Sequence, residues 1–474
     1  MKESPLNLYH LVMIGFLVLC FLYSWAGVED FSLDLVSFWR RLKPQRIKLS
    51  ELKRWLKTPE KKIAILVPAW QEGEIISQML LGNVSRIHYE NYLFFVGCYP
   101  NDLGTIQAVK KVSKFNPKII PVINTKNGPT SKGQMLNVIL EKIQREQSKY
   151  NIDAFLLQDS EDVMDPWSLK LVNFKLETYD YIQIPVFSLS VKPFDLVAGT
   201  YMDEFAEAHT KDLLIRESFG AAIPSAGVGS AFSKKLATEM LKQHGWVFYE
   251  NSVTEDYELG IRAHALGFKG TFACYYFDQG RKKRKHYIAT REYFPKKFFR
   301  AIRQKTRWTV GIAIQGWKHL GWLGTASNRY YLYRDRRGLA TNILSLMGYP
   351  VLVVVGMARF AHLWPEEDFL GAWGKILIIM LSLNTFLMLN RLWQRGRSVR
   401  GVYGWRAVWL LPLRWPVSVI VNSFACLNAL IQVLIVKIRK GSFQWAKTEH
   451  ELPRGFGAVA AIAIPATPLE SEAV

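Results

Sequence analysis

Asp159 and Glu161 stand two residues apart directly after the apolar run 154–157, and an extended backbone there points both carboxylates to one side. Two hard oxygen ligands in that arrangement suit Mg2+ or Mn2+, ions that bind few protein carboxylates and fill their shell with diphosphate oxygens and water. An acidic loop leading into a helix near Asp165-Pro166-Trp167 would leave the same pattern. Thr254-Glu255-Asp256 precedes the helix-patterned stretch 257–266, and Ser252 and Glu255 have capping-box spacing, so an ordinary acidic helix start also accounts for them. A carboxylate kept ionised by the helix dipole in a dry site can accept the proton of an attacking hydroxyl, which makes Asp256, beside Glu255, a general-base candidate. Gln304, Arg307 and Trp308 fall at i, i+3 and i+4, one face of a helix if 298–316 is helical. On that face the Arg307 fork would grip a diphosphate while the Trp308 indole stacks on a sugar ring. Lys296, Lys297, Arg300, Arg303 and Lys305 give the same stretch a membrane-surface character, and the two readings are compatible.

These groups need a scaffold. From Lys62 the chain alternates short apolar β-favouring runs (63–70, 93–98, 118–123, 154–158) with helix-patterned stretches (72–84, 134–143), which predicts an α/β domain with a mostly parallel sheet and helices on both faces. Such sheets bind ligands beyond the carboxyl ends of their strands. Trp70-Gln71-Glu72, Pro100-Asn101-Asp102 and Asp159-Ser160-Glu161-Asp162 occupy those ends.

At 474 residues the chain has room for one such domain and a membrane portion, and 49% hydrophobic residues with a net charge of +21 fit apolar spans flanked by Lys and Arg. No zinc-ligand spacing, RNA-binding aromatic signature or helix-turn-helix stands out, so nucleic acid is set aside as a partner. Arg281-Lys282-Lys283-Arg284-Lys285 reads as a solvated loop over anionic headgroups. The nine histidines lack HExxH spacing and the four cysteines are far apart, which argues against a zinc site and a disulfide framework.

Residues 8–26 would make a helix of about 28 Å, near the hydrocarbon thickness, and the basic cluster Arg40, Arg41, Lys43, Arg46 and Lys48 follows it, as for an uncleaved anchor. Further apolar stretches lie at 339–358, 372–392 and 408–436. Positive-inside places Pro365-Glu366-Glu367-Asp368 outside and Arg391, Arg395, Arg397 and Arg400 with the catalytic block in the cytosol. Simple parity would put the basic flank after the last stretch outside. A re-entrant segment before Val417, near Pro412, Arg414 and Pro416, would resolve that conflict. The expected organisation is an anchor (1–30), a basic amphipathic linker (31–61), a cytosolic catalytic domain (62–290), interface helices (291–325), a transmembrane region (326–440) and a partly disordered cytosolic tail (441–474).

In this order, the residues of 62–317 resemble the family 2 inverting glycosyltransferases of GT-A (Rossmann-like) fold, the group of the cellulose, chitin and hyaluronan synthases. The resemblance rests on Val67-Pro68-Ala69, Asp102, the run from Lys132 to Asn137, Asp159 to Asp162, Thr254-Glu255-Asp256 and Gln304-x-x-Arg307-Trp308. It implies that Pro68, Ala69, Glu72, Asp102, Lys132, Asp159, Gln304, Arg307 and Trp308 bind the donor, Asp102 at the base or ribose and Lys132 at the diphosphate. Asp159 and Glu161 would hold Mg2+ or Mn2+, Asp256 with Glu255 would be catalytic, and Gly227, Gly229 and Trp308 would line the acceptor side. Glu161 stands where a second Asp is usual, and Gly133 where Ala is usual. The implied partners are a nucleotide-sugar donor (a UDP-sugar), a glycan or lipid acceptor, membrane lipids and an outer-membrane export partner. The implied location is the bacterial inner membrane. A narrower likeness, to inner-membrane members linked to phage adsorption and a secreted glycan, rests on Tyr99-Pro100-Asn101-Asp102, Phe38-Trp39-Arg40-Arg41-Leu42 and Lys447-Thr448-Glu449-His450-Glu451-Leu452-Pro453.

Overall fold

The computed structural model describes residues 8–279, 284–360, 372–439, 452–453 and 456. Its centre is a seven-stranded sheet of β1 (Ile63–Pro68), β2 (Tyr92–Cys98), β3 (Ile119–Ile123), β4 (Ala154–Leu157), β5 (Tyr181–Gln183), β6 (Ser230–Ser233) and β7 (Gly270–Phe272), in the order β3-β2-β1-β4-β6-β5-β7. β1 runs parallel to β2 and β4, β2 to β3, and β5 to β7. β6 alone is antiparallel, to both β4 and β5. The mostly parallel α/β expectation holds.

β1 is a continuous apolar run because both of its faces are covered. Ile63, Ile65 and Val67 pack with Phe94, Val96 and Leu156 under the helix Ile76–Val84, where Ile76, Met79 and Leu80 are buried. Ala64 and Leu66 face the other way, onto Phe95, Leu157 and the buried Met135, Leu136 and Ile139 of the helix Lys132–Arg145. The chain leaves β1 for β2 and β3 on one side and returns to β4 on the other, so the crevice at this switch point opens between Pro68 and Asp159.

Three helices among the described residues are long and apolar enough to cross a membrane: Ile14–Trp39, Gly374–Tyr403 and Leu411–Arg439. The first belongs to the unbroken helix Leu8–Trp39, so helix continues well past Ala26. The stretch 339–358 lies in the helix Ala326–Phe360. Gly404, with φ +83°, breaks the chain before Leu411–Arg439, which keeps Pro416 inside one helix. Arg414 is buried there, and its Nε and Nη2 each donate to Asp203 at 2.7 Å. Ion pairs also join the long helices to one another: Arg334 to Glu29 and Asp30 at 3.0 Å each, Arg337 to the same two carboxylates, and Arg391 to Asp30.

Arg284 and Lys285, expected in a loop, pair in a strand with Gln279 and Asp278. Residues 281–283, the acidic loop 365–368 and most of the tail 441–474 lie outside the described residues. Of that tail, Leu452 packs on the core and Phe456 is buried against Gly82, with the Arg86 guanidinium 4.5 Å from its ring centroid.

Candidate active site

The cleft at the switch point opens to solvent and encloses about 1000 Å³ of space including its open mouth. Pro68, Ala69, Glu72, Lys132, Asp159, Glu161, Gly227, Glu255, Asp256, Gln304, Arg307 and Trp308 all line it. Asp102 and Gly229 do not belong to that lining.

Asp102 works behind the wall. Its carboxylate accepts from the amide of Gln71 at 2.5 Å and from that of Thr105 at 3.3 Å, capping the helix Leu103–Ser113 and fixing Gln71 at φ +57°. The loop so held presents Trp70, whose ring meets that of Tyr99 edge-on at 5.2 Å. Gly229, with φ +64°, has no room for a Cβ between Ile184 and Thr290, so it shapes the turn into β6.

Lys132 opens its helix behind Ser131, whose hydroxyl accepts from the Gln134 amide. Its Nζ lies 2.6 Å from Asp159 Oδ1 and 3.3 Å from the Gly227 carbonyl. Burial disfavours its charge, but Asp159, Asp256 and Glu255 together hold its pKa above the usual lysine value. At Gly133 a Cβ would sit 3.0 Å from Glu255 Cγ, a tight contact.

Beyond β4, Asp162 folds back to accept from the Asp159 amide at 2.6 Å, while Ser160 donates to Glu161 at 3.1 Å. Asp162 is fully buried with Oδ1 unpartnered. Burial first, then Glu292, Asp159 and Glu161, push its pKa well up. Glu292, on the strand Thr290–Glu292, also lines the cleft. No spacing rule marks it in sequence; its only signal is a carboxylate upstream of the Gln304 helix. Thr130, which bonds Tyr99 Oη at 2.7 Å, was equally unmarked.

The helix Glu255–Ala265 starts without the capping box its spacing suggests: the side chain of the N-cap residue Thr254 makes no capping hydrogen bond, and the Ser252 hydroxyl accepts from the Thr254 amide. Within the first turn, Asp256 Oδ1 accepts from the Tyr257 amide at 2.7 Å. Burial and the neighbouring Asp256 push the Glu255 carboxyl up to about 8, against the opposing pull of Lys132. Asp256 is raised as well, by burial, with Lys132 opposing.

Gln304, Arg307 and Trp308 sit on the helix Phe298–Thr309. Among the described residues the Arg307 guanidinium has no ion pair, and Gln304 Oε1 is buried without a partner, so both are available to a ligand. Trp308 packs on Tyr201, Phe205 and Phe294. Lys305, read from sequence as part of a membrane-surface stripe, is buried and pairs with Glu204 at 2.5 Å.

Residues 59–311 match the model of the family described as glycosyltransferase like family 2. Bacteriophage adsorption protein B of Escherichia coli strain K12 is 36% identical over 460 residues, covering 90% of this chain and 60% of that protein. Bacteriophage N4 adsorption protein B of Escherichia coli O157:H7 gives the same figures. The chain therefore spans about 60% of the length of the curated relatives it matches. A mannosyltransferase from Pyrobaculum calidifontis, solved in complex with GDP-Man and Mn2+, aligns with a TM-score of 0.51 at 15% identity over 88% of this chain and 99% of that one, a likeness of fold.

Proposed function

The chain belongs to the family-2-like glycosyltransferases, and on that premise we propose that it is a membrane-embedded inverting enzyme that takes a sugar from a UDP-sugar at the cytosolic face of a bacterial inner membrane and extends a secreted exopolysaccharide. The observation that carries this reading is the convergence of Lys132, Asp159, Glu161, Asp256 and Arg307, from well-separated parts of the sequence, in one cleft.

Arg307 and Lys132 face the donor's diphosphate. The acceptor hydroxyl gives its proton to Asp256 as its oxygen attacks the anomeric carbon opposite the leaving group. The bond from that carbon to the diphosphate oxygen breaks, the departing oxygen keeps the electron pair, and one displacement inverts the centre. Negative charge grows on the diphosphate as this happens, so the cations beside it stabilise the transition state more than the bound donor.

Asp159 and Glu161 supply hard oxygen donors. No three His, Cys, Asp or Glu side chains among the described residues could hold an ion by themselves. That donor set fits Mg2+ or Mn2+ whose shell the substrate's phosphate oxygens complete. When bound, such an ion neutralises charge on the leaving diphosphate.

The test is turnover of a panel of UDP-sugars by the purified protein in lipid nanodiscs, with Mg2+ or Mn2+ and with Asp256→Asn as control. Metal-dependent release of UDP with a ladder of lengthening products is the expected result. A product limited to one sugar on a lipid would sink polymerisation and leave transfer standing. Nucleotide binding without turnover of any donor would favour the reading suggested by the relatives' names, a noncatalytic adsorption component.

Two further outcomes follow from the cleft. Gly227 has φ +84°, and a Cβ there would run into the Asp256 carboxylate. Gly227→Ala is therefore expected to remove most turnover, through backbone strain and displacement of Asp256, while the sheet core, read by thermal unfolding, survives. Glu255 and Asp256 share a raised titration, so at neutral pH the free enzyme holds a proton on the pair, and kcat/KM should rise toward alkaline pH. Glu255→Gln removes the neighbouring charge and should move that acidic limb to lower pH. An unmoved limb would show that the pair does not govern it.

A further inference from the structure

Tyr257, the residue after Asp256, is buried, yet its hydroxyl donates to a carboxylate on another element, Asp335 Oδ2, at 2.6 Å. Asp335 lies on the helix Ala326–Phe360. Arg216 Nη1 donates to both oxygens of the same carboxylate, each at 2.9 Å. The Arg216 Nε donates to the Ala222 carbonyl at 2.6 Å, and the Ala222 amide donates to Asn328 Oδ1, one helix segment before Asp335, at 3.2 Å. Gly260, on the helix that begins at Glu255, lies so close to the Ile223 carbonyl that a Cβ could not fit between them. Two parts of the cleft are therefore gathered onto one carboxylate: the turn that carries Asp256 and the segment 221–224 that leads into Gly227.

Of the neighbouring arginines, Arg336 lies near Tyr257 and Asp335 while its Nη2 donates to the Gly316 and Gly321 carbonyls, and the other two face the N-terminal helix. Arg334 and Arg337 pair with Glu29 and Asp30 on the N-terminal helix. Asp335 thus couples the cleft to a helix that is itself fastened to an apolar span.

We infer that Asp335 is a positioning residue for the transfer reaction, fixing Asp256 through the Tyr257 hydroxyl and the Gly227 segment through Arg216. This rests on Asp256 being the base. The Tyr257 amide also donates to Asp256 Oδ1 at 2.7 Å, so a shift of Tyr257 moves the carboxylate directly. Misplacement of a reacting group by about 1 Å can cost on the order of 10²-fold in rate. The arrangement predicts an effect on kcat rather than on donor binding, because neither Tyr257 nor Asp335 lines the cleft.

The experiment compares Tyr257→Phe, Asp335→Asn, Asp256→Asn and the Asp256→Asn/Tyr257→Phe double variant as full-length protein in nanodiscs, measuring UDP affinity, kcat, donor KM and the pH profile. Tyr257→Phe keeps the ring and leaves the Arg216 pair intact, so it remains folded even where Asp335→Asn does not. The expected result is a fall in kcat of about tenfold or more for Tyr257→Phe. UDP affinity and donor KM should stay within about twofold, and the double variant should be no worse than Asp256→Asn alone. A normal Tyr257→Phe beside an inactive Asp256→Asn would overturn the positioning role and leave the function standing. Loss of UDP affinity in step with kcat, or a full additional loss in the double variant, would also overturn it by showing a general structural effect. An active Asp256→Asn would instead overturn the base assignment on which the inference depends.

Discussion

Asp256→Asn is expected to lower sugar transfer by about 10²–10⁴-fold, the range contributed by a positioned general base, while nucleotide binding persists. The substitution is nearly isosteric and removes one of several carboxylates crowded around Lys132. Lys132 keeps its contact to Asp159 at 2.6 Å, so the diphosphate side of the cleft should remain formed. Burial raises the Asp256 carboxyl, so replacing it relieves a destabilised charge, and the thermal midpoint should hold or rise. The decisive comparison is kcat against UDP affinity in the same preparation. A parallel loss of both would indicate a collapsed cleft and would remove Asp256 from the role of base.

Arg307→Lys should be nearly as damaging despite retaining the charge. A guanidinium presents a planar fork that matches two phosphate oxygens, whereas an ammonium offers a point charge at a different reach. Loss of a donor aimed at developing transition-state charge commonly costs about 10²–10³-fold in kcat. Arg307 makes no close ion pair among the described residues, although its charge helps to offset the buried Glu255 and Asp256 carboxylates, and Arg307→Lys keeps that charge. The thermal midpoint should change little in Arg307→Lys, since the charge is kept. A comparable loss with Arg307→Lys and Arg307→Ala would mark geometry as the requirement. Near-full activity in Arg307→Lys would show that charge alone suffices.

The parallel half of the sheet was legible because β1, β2 and β4 are apolar runs covered on both faces, and such runs need no partner to be recognised. β6 was not, because Ser-Ala-Phe-Ser after two positive-φ glycines reads as a turn, and its antiparallel place between β4 and β5 is set by distant chain. The residues of the cleft were mostly legible from their position after strands or on one helix face. What each one touches was not. Asp102 was expected at the nucleotide, and its bonds to the amides of Gln71 and Thr105 carry no signal in sequence. Lys305 lies among surface-like cations in sequence, and only the fold reveals Glu204, 101 positions away. Glu292 escaped notice because an isolated Glu on a short strand carries no periodic signature.

The seat of the Phe298–Thr309 helix sets an order of events during synthesis. Thr306 donates to the Ala425 carbonyl at 3.3 Å, Asn428 to Thr306 at 3.2 Å, and Lys305 to Asn422 at 2.9 Å. All three supports come from Leu411–Arg439, made more than a hundred residues after the helix they hold. The sheet and its carboxylates can fold while the ribosome is still working, since domains generally form as their sequence emerges. A nascent chain released before residue 411 would therefore carry every side chain proposed for the reaction but would hold the helix through Tyr201, Phe205, Phe294 and Glu204, without its contacts to Leu411–Arg439. On the proposed function, the complete seat of Arg307 and Trp308 is reached only once Leu411–Arg439 has been made and packed against their helix.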